Sequence, residues 1–197
     1  TADHRVHFTP ANLVTQFHRS IEPDMTATLL KAIFSDKTRF AHHSPLPRGS
    51  HFRDEGAANH IRLCRTHAEP GVELFVYGTQ SFSPSSRETK TFPARQSLEA
   101  SHAVARLHHL DLEMTRFALQ NPDLIDAGVF HNDVISVGNE NVLLYHSLAF
   151  SDGPSVARDL QQTFSRRCQG ELSLIEIPEN RLSISDAIGS YVFNSQL

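Results

Sequence analysis

Val142-Leu143-Leu144-Tyr145-His146-Ser147-Leu148-Ala149-Phe150, leading through Ser151-Asp152-Gly153-Pro154-Ser155 to Val156, Leu160 and Phe164, is the stretch that decides the fold. Residues 142–150 are mostly apolar, which predicts a strand. Gly-Pro then breaks the run, Ser155 offers an N-cap, and Val156, Leu160 and Phe164 recur at the spacing of one helical stripe. A further strand is expected over 172–177, ending at Pro178. On the other side, the turn Gly138-Asn139-Glu140-Asn141 joins the stretch to a strand over 129–137. The order is strand, strand, helix, strand.

The same order precedes it. Strand-like runs at 60–64 and 71–78 are followed by a loop over 81–93 rich in Ser, Thr and Pro. A helix is expected over 95–109, with Ala100, Ala103, Val104 and Leu107 on one face, then a strand over 115–120 and a turn at Asn121-Pro122. A partial unit comes first: strand 6–9, helix 25–34 and strand 39–42. The expected class is therefore α/β, built of repeated modules. The division is 1–59 (partial module and connecting loop), 60–120, 121–178 and 179–197 (start of the next). The two full units share no residue-level repeat, so an α/β domain without repeats is the alternative.

Bulk properties exclude several classes. The 18 basic residues are outnumbered by 22 acidic ones and form no long run, against a nucleic-acid binder. No apolar segment approaches membrane-spanning length. Two cysteines are too few for a disulfide framework, so a reducing cytoplasm is the expected compartment. The chain opens at Thr1 and stops in the apolar pattern of Tyr191-Val192-Phe193, which reads as a segment of something longer.

In Gly128-Val129-Phe130-His131-Asn132-Asp133-Val134-Ile135, a strand would put His131 and Asp133 on one face and Asn132 on the other. An imidazole beside a carboxylate can transfer protons next to a bound cation. Glu55 lies in Asp54-Glu55-Gly56-Ala57-Ala58-Asn59-His60, where small neighbours let a ligand approach the backbone. Arg95, at the expected start of a helix, is disfavoured there by the dipole and calls for an anionic partner. His18-Arg19 is a compact basic pair. Each of these also occurs as ordinary surface or loop chemistry. The 13 histidines show no zinc-type spacing, and adjacent pairs such as His42-His43 and His108-His109 are expected to diverge, so no metal site is expected. Cys64 and Cys168 read as buried thiols.

Taken together, several segments resemble the N-succinylarginine dihydrolase family of the guanidine-modifying (pentein) superfamily. They include Phe17-His18-Arg19-Ser20, Asp54 to His60, Leu74-Phe75-Val76-Tyr77-Gly78, Pro93-Ala94-Arg95-Gln96, Gln120-Asn121-Pro122-Asp123, the His131 segment and Phe193-Asn194-Ser195-Gln196-Leu197. The resemblance implies a five-bladed α/β propeller, of which this chain would hold part. It implies hydrolysis of N2-succinyl-L-arginine, a small-molecule substrate, without metal or organic cofactor. His131 would be the general acid/base, Glu55 its carboxylate partner, and Asp133 the grip on the guanidinium. His18, Arg19 and Arg95 would bind substrate. The family's cysteine nucleophile, in a glycine-rich segment near the C-terminus, has no match here, and neither Cys64 nor Cys168 lies in such a context. The chain alone is therefore expected to be inactive, and its uncovered modules to self-associate as a homo-oligomer. A deiminase or amidinotransferase of the same superfamily, a guanidino-binding module without turnover and a metal-dependent hydrolase are the competing readings.

Overall fold

The computed structural model describes residues 3–82, 89–195 and 197. Among these lie eight strands, in three small sheets that do not close into a barrel, and five α-helices. Most of the expected 81–93 loop is included, but 83–88 fall outside the described residues.

The first sheet pairs β1 (Val6–Phe8) with β2 (Phe40–His42) in parallel, linked by α1 (Pro23–Ile33). In the second, β3 (His60–Leu63) runs antiparallel to β4 (Val72–Tyr77). From β4 the chain crosses through α2 (Leu98–Leu107) to β5 (Thr115–Leu119), which lies parallel to β4. After α3 (Pro122–Asp126) the pattern returns. β6 (Ser136–Asn139) is antiparallel to β7 (Val142–His146), and α4 (Gly153–Cys168) leads to β8 (Ser173–Ile177), parallel to β7. α5 (Ile184–Ser190) follows.

β4 shows why its run is almost continuously apolar. Val72, Leu74 and Val76 join the core shared with the second unit, which holds Leu143, Leu160 and Phe164. Phe75, on the opposite face, packs with Ala100, Val104 and Ala105 of α2. Both faces are covered, so the alternation of a half-exposed strand is lost. The two sheets approach closely at Gly138. A Cβ there would stand 2.5 Å from Ile61 Cγ2 and 2.9 Å from Leu63 Cδ2.

Several expectations need correction. The strand expected over 129–137 is instead a turn of 3-10 helix at Asn132–Val134, with β6 beginning only at Ser136. Asn and Asp are poor strand residues and good turn residues, and Asn132 buries its side chain, whose Oδ1 accepts from Ser136 Oγ at 2.7 Å. The shared-face argument for His131 and Asp133 therefore fails. The run 142–150 leaves the sheet after His146, where Ala149 N–H donates to His146 C=O at 2.9 Å and closes a turn. α2 starts three residues later than expected, capped by Ser97, whose Oγ accepts from Ala100 N–H at 3.1 Å. Arg95 thus precedes the helix rather than opening it, and the dipole argument does not apply. The N-cap of α4 is Asp152, which accepts from the Ser155 N–H. α3 and α5 were not expected, although Ser183, capping α5 against the Asp186 N–H, is a legible start signal.

The adjacent histidines behave in two ways. His42 stacks on Phe8 while His43 stacks on His7, so that pair diverges. His108 and His109 both approach the His7 ring, at 5.5 and 5.7 Å between centroids, because His109 adopts a left-handed backbone with φ 54.

Candidate active site

The Glu55 side chain is wholly buried, yet all its partners come from elsewhere in the sequence. Oε1 accepts from Thr15 Oγ1 at 2.6 Å, and Oε2 lies 2.9 Å from Arg19 Nη1 and 3.0 Å from His131 Nε2. Burial by itself would push this carboxyl up. The hydrogen bonds from His131 and Thr15, with the charges of His131 and Arg19, outweigh it and hold Glu55 below its ordinary 4.5. It is a carboxylate at neutral pH, in contact with a cation and an imidazole. His131 is 21% exposed, so its ring has the carboxylate on one side and open space within reach.

The backbone that presents Glu55 is pinned by buried amides. Asn12 Oδ1 accepts from Asp54 N–H at 3.1 Å, and its Nδ2 donates to the Phe52 and Pro47 carbonyls. Gln96 Oε1 accepts from Glu55 N–H at 2.8 Å, carrying the segment before α2 to the site. Asp54 is buried, and its carboxyl is pushed up by burial, against the hydrogen bond it accepts from Gly56 N–H.

Arg95 and Asp133 stand at the edges of this cluster. The Arg95 guanidinium lies 4.2 Å from the centre of the Phe130 ring, one residue before His131. Asp133 Oδ2 accepts from Asn194 Nδ2 at 2.9 Å, and its buried Oδ1 has no partner among the described residues. Burial pushes the Asp133 carboxyl up, against the pull of the His131 charge. Asp133 lines a cavity of about 350 Å³ with Ala57, His60, Asn132, Phe193 and Asn194. His18 is exposed and takes no part in these bonds.

Of the six residues singled out in the sequence, the structure joins Glu55, Arg19 and His131 directly. It sets Asp133 and Arg95 beside them and leaves His18 on the surface. Thr15, Asn12, Gln96, Asn59 and Asn194 were missed. Asn59, Gln96 and Asn194 lie inside segments that carry the family resemblance, but nothing local to any of the five marks a side chain that will find its partner at this site. Among the described residues no group of three or more His, Cys, Asp or Glu side chains is arranged to hold a metal ion. Cys64 and Cys168 are buried, as expected.

A buried carboxylate shared between a guanidinium and a partly open imidazole defines a site where protons can be exchanged with a bound ligand. A family model described as succinylarginine dihydrolase matches residues 1–197, and the chain belongs to that family. It is 57% identical to an N-succinylarginine dihydrolase of Marinobacter nauticus, 54% to one of Shewanella sediminis and 53% to one of Aeromonas hydrophila subsp. hydrophila. Each match covers all of the chain and 44% of the relative, so the chain spans less than half the length of these curated proteins.

Proposed function

We propose that this chain is part of an N-succinylarginine dihydrolase. The reaction takes N2-succinyl-L-arginine and two waters to N2-succinyl-L-ornithine, two ammonia and carbon dioxide. The observation that carries the proposal is the 3.0 Å contact between His131 Nε2 and the buried Glu55 carboxylate. A guanidinium is stabilised by resonance and charge, so its central carbon yields only to a strong nucleophile while its orientation is fixed. In this reading a thiolate from elsewhere in a longer protein attacks. His131, steadied by Glu55, protonates the departing ammonia and then takes a proton from water, and Asp133 grips the guanidinium. Arg19, Arg95 and His18 bind the substrate, the two arginines through its carboxylates. Cys64 and Cys168 support placing the nucleophile elsewhere, because burial pushes both thiols up and away from the thiolate form. The reading calls for no metal or organic cofactor.

The same proposal extends to architecture. The two sheets with strand, strand, helix, strand order are modules 60–120 and 121–178 of a partial five-bladed propeller, with 1–59 and 179–197 belonging to flanking modules. A cytoplasmic setting accords with two unpaired cysteines and with the finding that no helix among the described residues is long and apolar enough to cross a membrane. Self-association is supported by Met25, Leu29 and Ile33, exposed on α1 at a spacing that Phe17 and Ile21 continue. A molar mass that stays constant with concentration in light scattering would remove that part.

Ammonia release from N2-succinyl-L-arginine tests the activity. The chain alone is expected to release none. A chimera in which residues 1–197 replace the matching stretch of the Marinobacter nauticus relative is expected to release two per substrate, and to lose at least about 10³-fold in rate on His131→Asn. A folded chimera that binds the substrate without releasing ammonia would favour a guanidino-binding module instead.

A further inference from the structure

Glu55 and His131 are far apart in sequence, and one side chain ties their two segments together. Asn59 closes the turn of 3-10 helix, Gly56–Asn59, that begins directly after Glu55. Its Oδ1 accepts the main-chain N–H of Asn132 at 2.9 Å. That N–H belongs to the peptide joining His131 to Asn132. Holding it fixes the plane from which the His131 backbone departs, where His131 stands just before the next 3-10 turn, Asn132–Val134.

The same amide is poorly employed as a stabilising group. Asn59 is 1% exposed, and its buried Nδ2 has no partner among the described residues. Burying an unpaired donor opposes folding, and a leucine, branched at the same atom, would fill the space without that penalty. Asn132, completely buried, repeats the pattern, with Oδ1 satisfied by Ser136 and Nδ2 unpaired among the described residues. What asparagine provides at position 59, and leucine does not, is an acceptor aimed at the His131–Asn132 peptide.

We infer that Asn59 is a positioning residue that sets the His131 imidazole against the Glu55 carboxylate. This rests on the acid/base reading of that pair. Asn59 acts through the backbone and touches neither the carboxylate nor the imidazole nitrogen. Asp133, two residues beyond His131, is oriented by the same anchored turn.

The test is made in two proteins. In the 197-residue chain, the His131 ring nitrogens are followed by ¹⁵N NMR and assigned by their loss in His131→Asn; Glu55→Gln marks the signal of an imidazole without its carboxylate. Asn59→Leu is expected to move the His131 signal most of the way to the Glu55→Gln position, with circular dichroism unchanged. A folded Asn59→Leu chain whose His131 signal stays in place overturns the inference. Should Asn59→Leu fail to fold, Asn59→Asp decides. It keeps the acceptor, so His131 should hold its native signal, and a shift as large as that of Glu55→Gln overturns the inference.

In the chimera, Asn59→Leu is expected to lower kcat about 10²-fold with KM within about threefold, the mark of a displaced catalytic group rather than a lost binding contact. Equal loss in KM alone would count against positioning. An inactive parent chimera would sink the dihydrolase reading, while the NMR result would still decide the role of Asn59.

Discussion

Arg19 approaches Glu55 with its side chain still 31% exposed, whereas the carboxylate it meets has no exposure at all. The burden of the pair therefore falls on Glu55, which relies on Thr15, Arg19 and His131 together to remain ionised. Glu55→Gln keeps the shape and removes the charge. At neutral pH it is expected to destabilise the chain by about 1–3 kcal/mol, read as a urea midpoint. The pH dependence follows from the direction of the shift. The folded carboxyl lies below 4.5, so on acidification the unfolded chain takes up its proton first. The contribution is full above about pH 4.5 and is lost as pH falls through the lowered folded value, so the gap between native and Glu55→Gln chains should close there. A gap that persists unchanged at pH 3 would contradict this account.

Between elements, the end of α2 meets the β1–β2 sheet through histidines. His7 lies 2.9 Å from His43 (Nδ1 to Nε2) and, through Nε2, 2.9 Å from Asp3 Oδ1; His108 Nε2 lies 2.8 Å from Thr9 Oγ1. Asp3, Arg5, His60 and His109 complete the charged surroundings. Burial, followed by the charges of His43, His7, His60 and His109, pushes His108 down to about 3, and burial with His7 likewise lowers His43. His108 and His43 are therefore held toward the neutral form in the folded chain. Below the ordinary 6.5 the unfolded chain binds protons that the folded one refuses, so stability present above pH 6.5 is lost as pH falls toward 3. His108→Gln should flatten the stability curve across that window, and parallel curves would refute the assignment. This contact could not be read from sequence, because it depends on a left-handed residue after α2 and on a segment as far as 99 residues upstream, where Thr9 meets His108. The strands and three of the five helices were legible, since periods of 2 and 3.6 are local. Residues 129–137 misled for the same reason: alternation cannot show that Asn132 will be drawn inward by Asn59 and Ser136. The pairing of Glu55 with His131 had no local signal either, and came from resemblance.

Over the whole molecule, the two three-stranded sheets behave as one body because they share a core across β3 and β6. Gly138 is the point of closest approach, and the space a methyl group would need is already filled by Ile61 and Leu63. Gly138→Ala is expected to cost about 1–3 kcal/mol through overpacking, measured by urea unfolding. The loss should exceed that of alanine at Gly49, where a Cβ would meet nothing within 4 Å. Equal effects at the two glycines would mean that the sheets can separate slightly without penalty.

The contact between Glu55 and His131 spans 76 residues, and that distance has a meaning during synthesis. At roughly 5–20 residues per second, a ribosome delivers the histidine about 4–15 s after the carboxylate. Thr15 and Arg19 have already emerged by then, so Glu55 can be escorted by its earlier partners while the later one is still being made. A nascent chain would thus hold its charge in place before it holds any means of moving a proton.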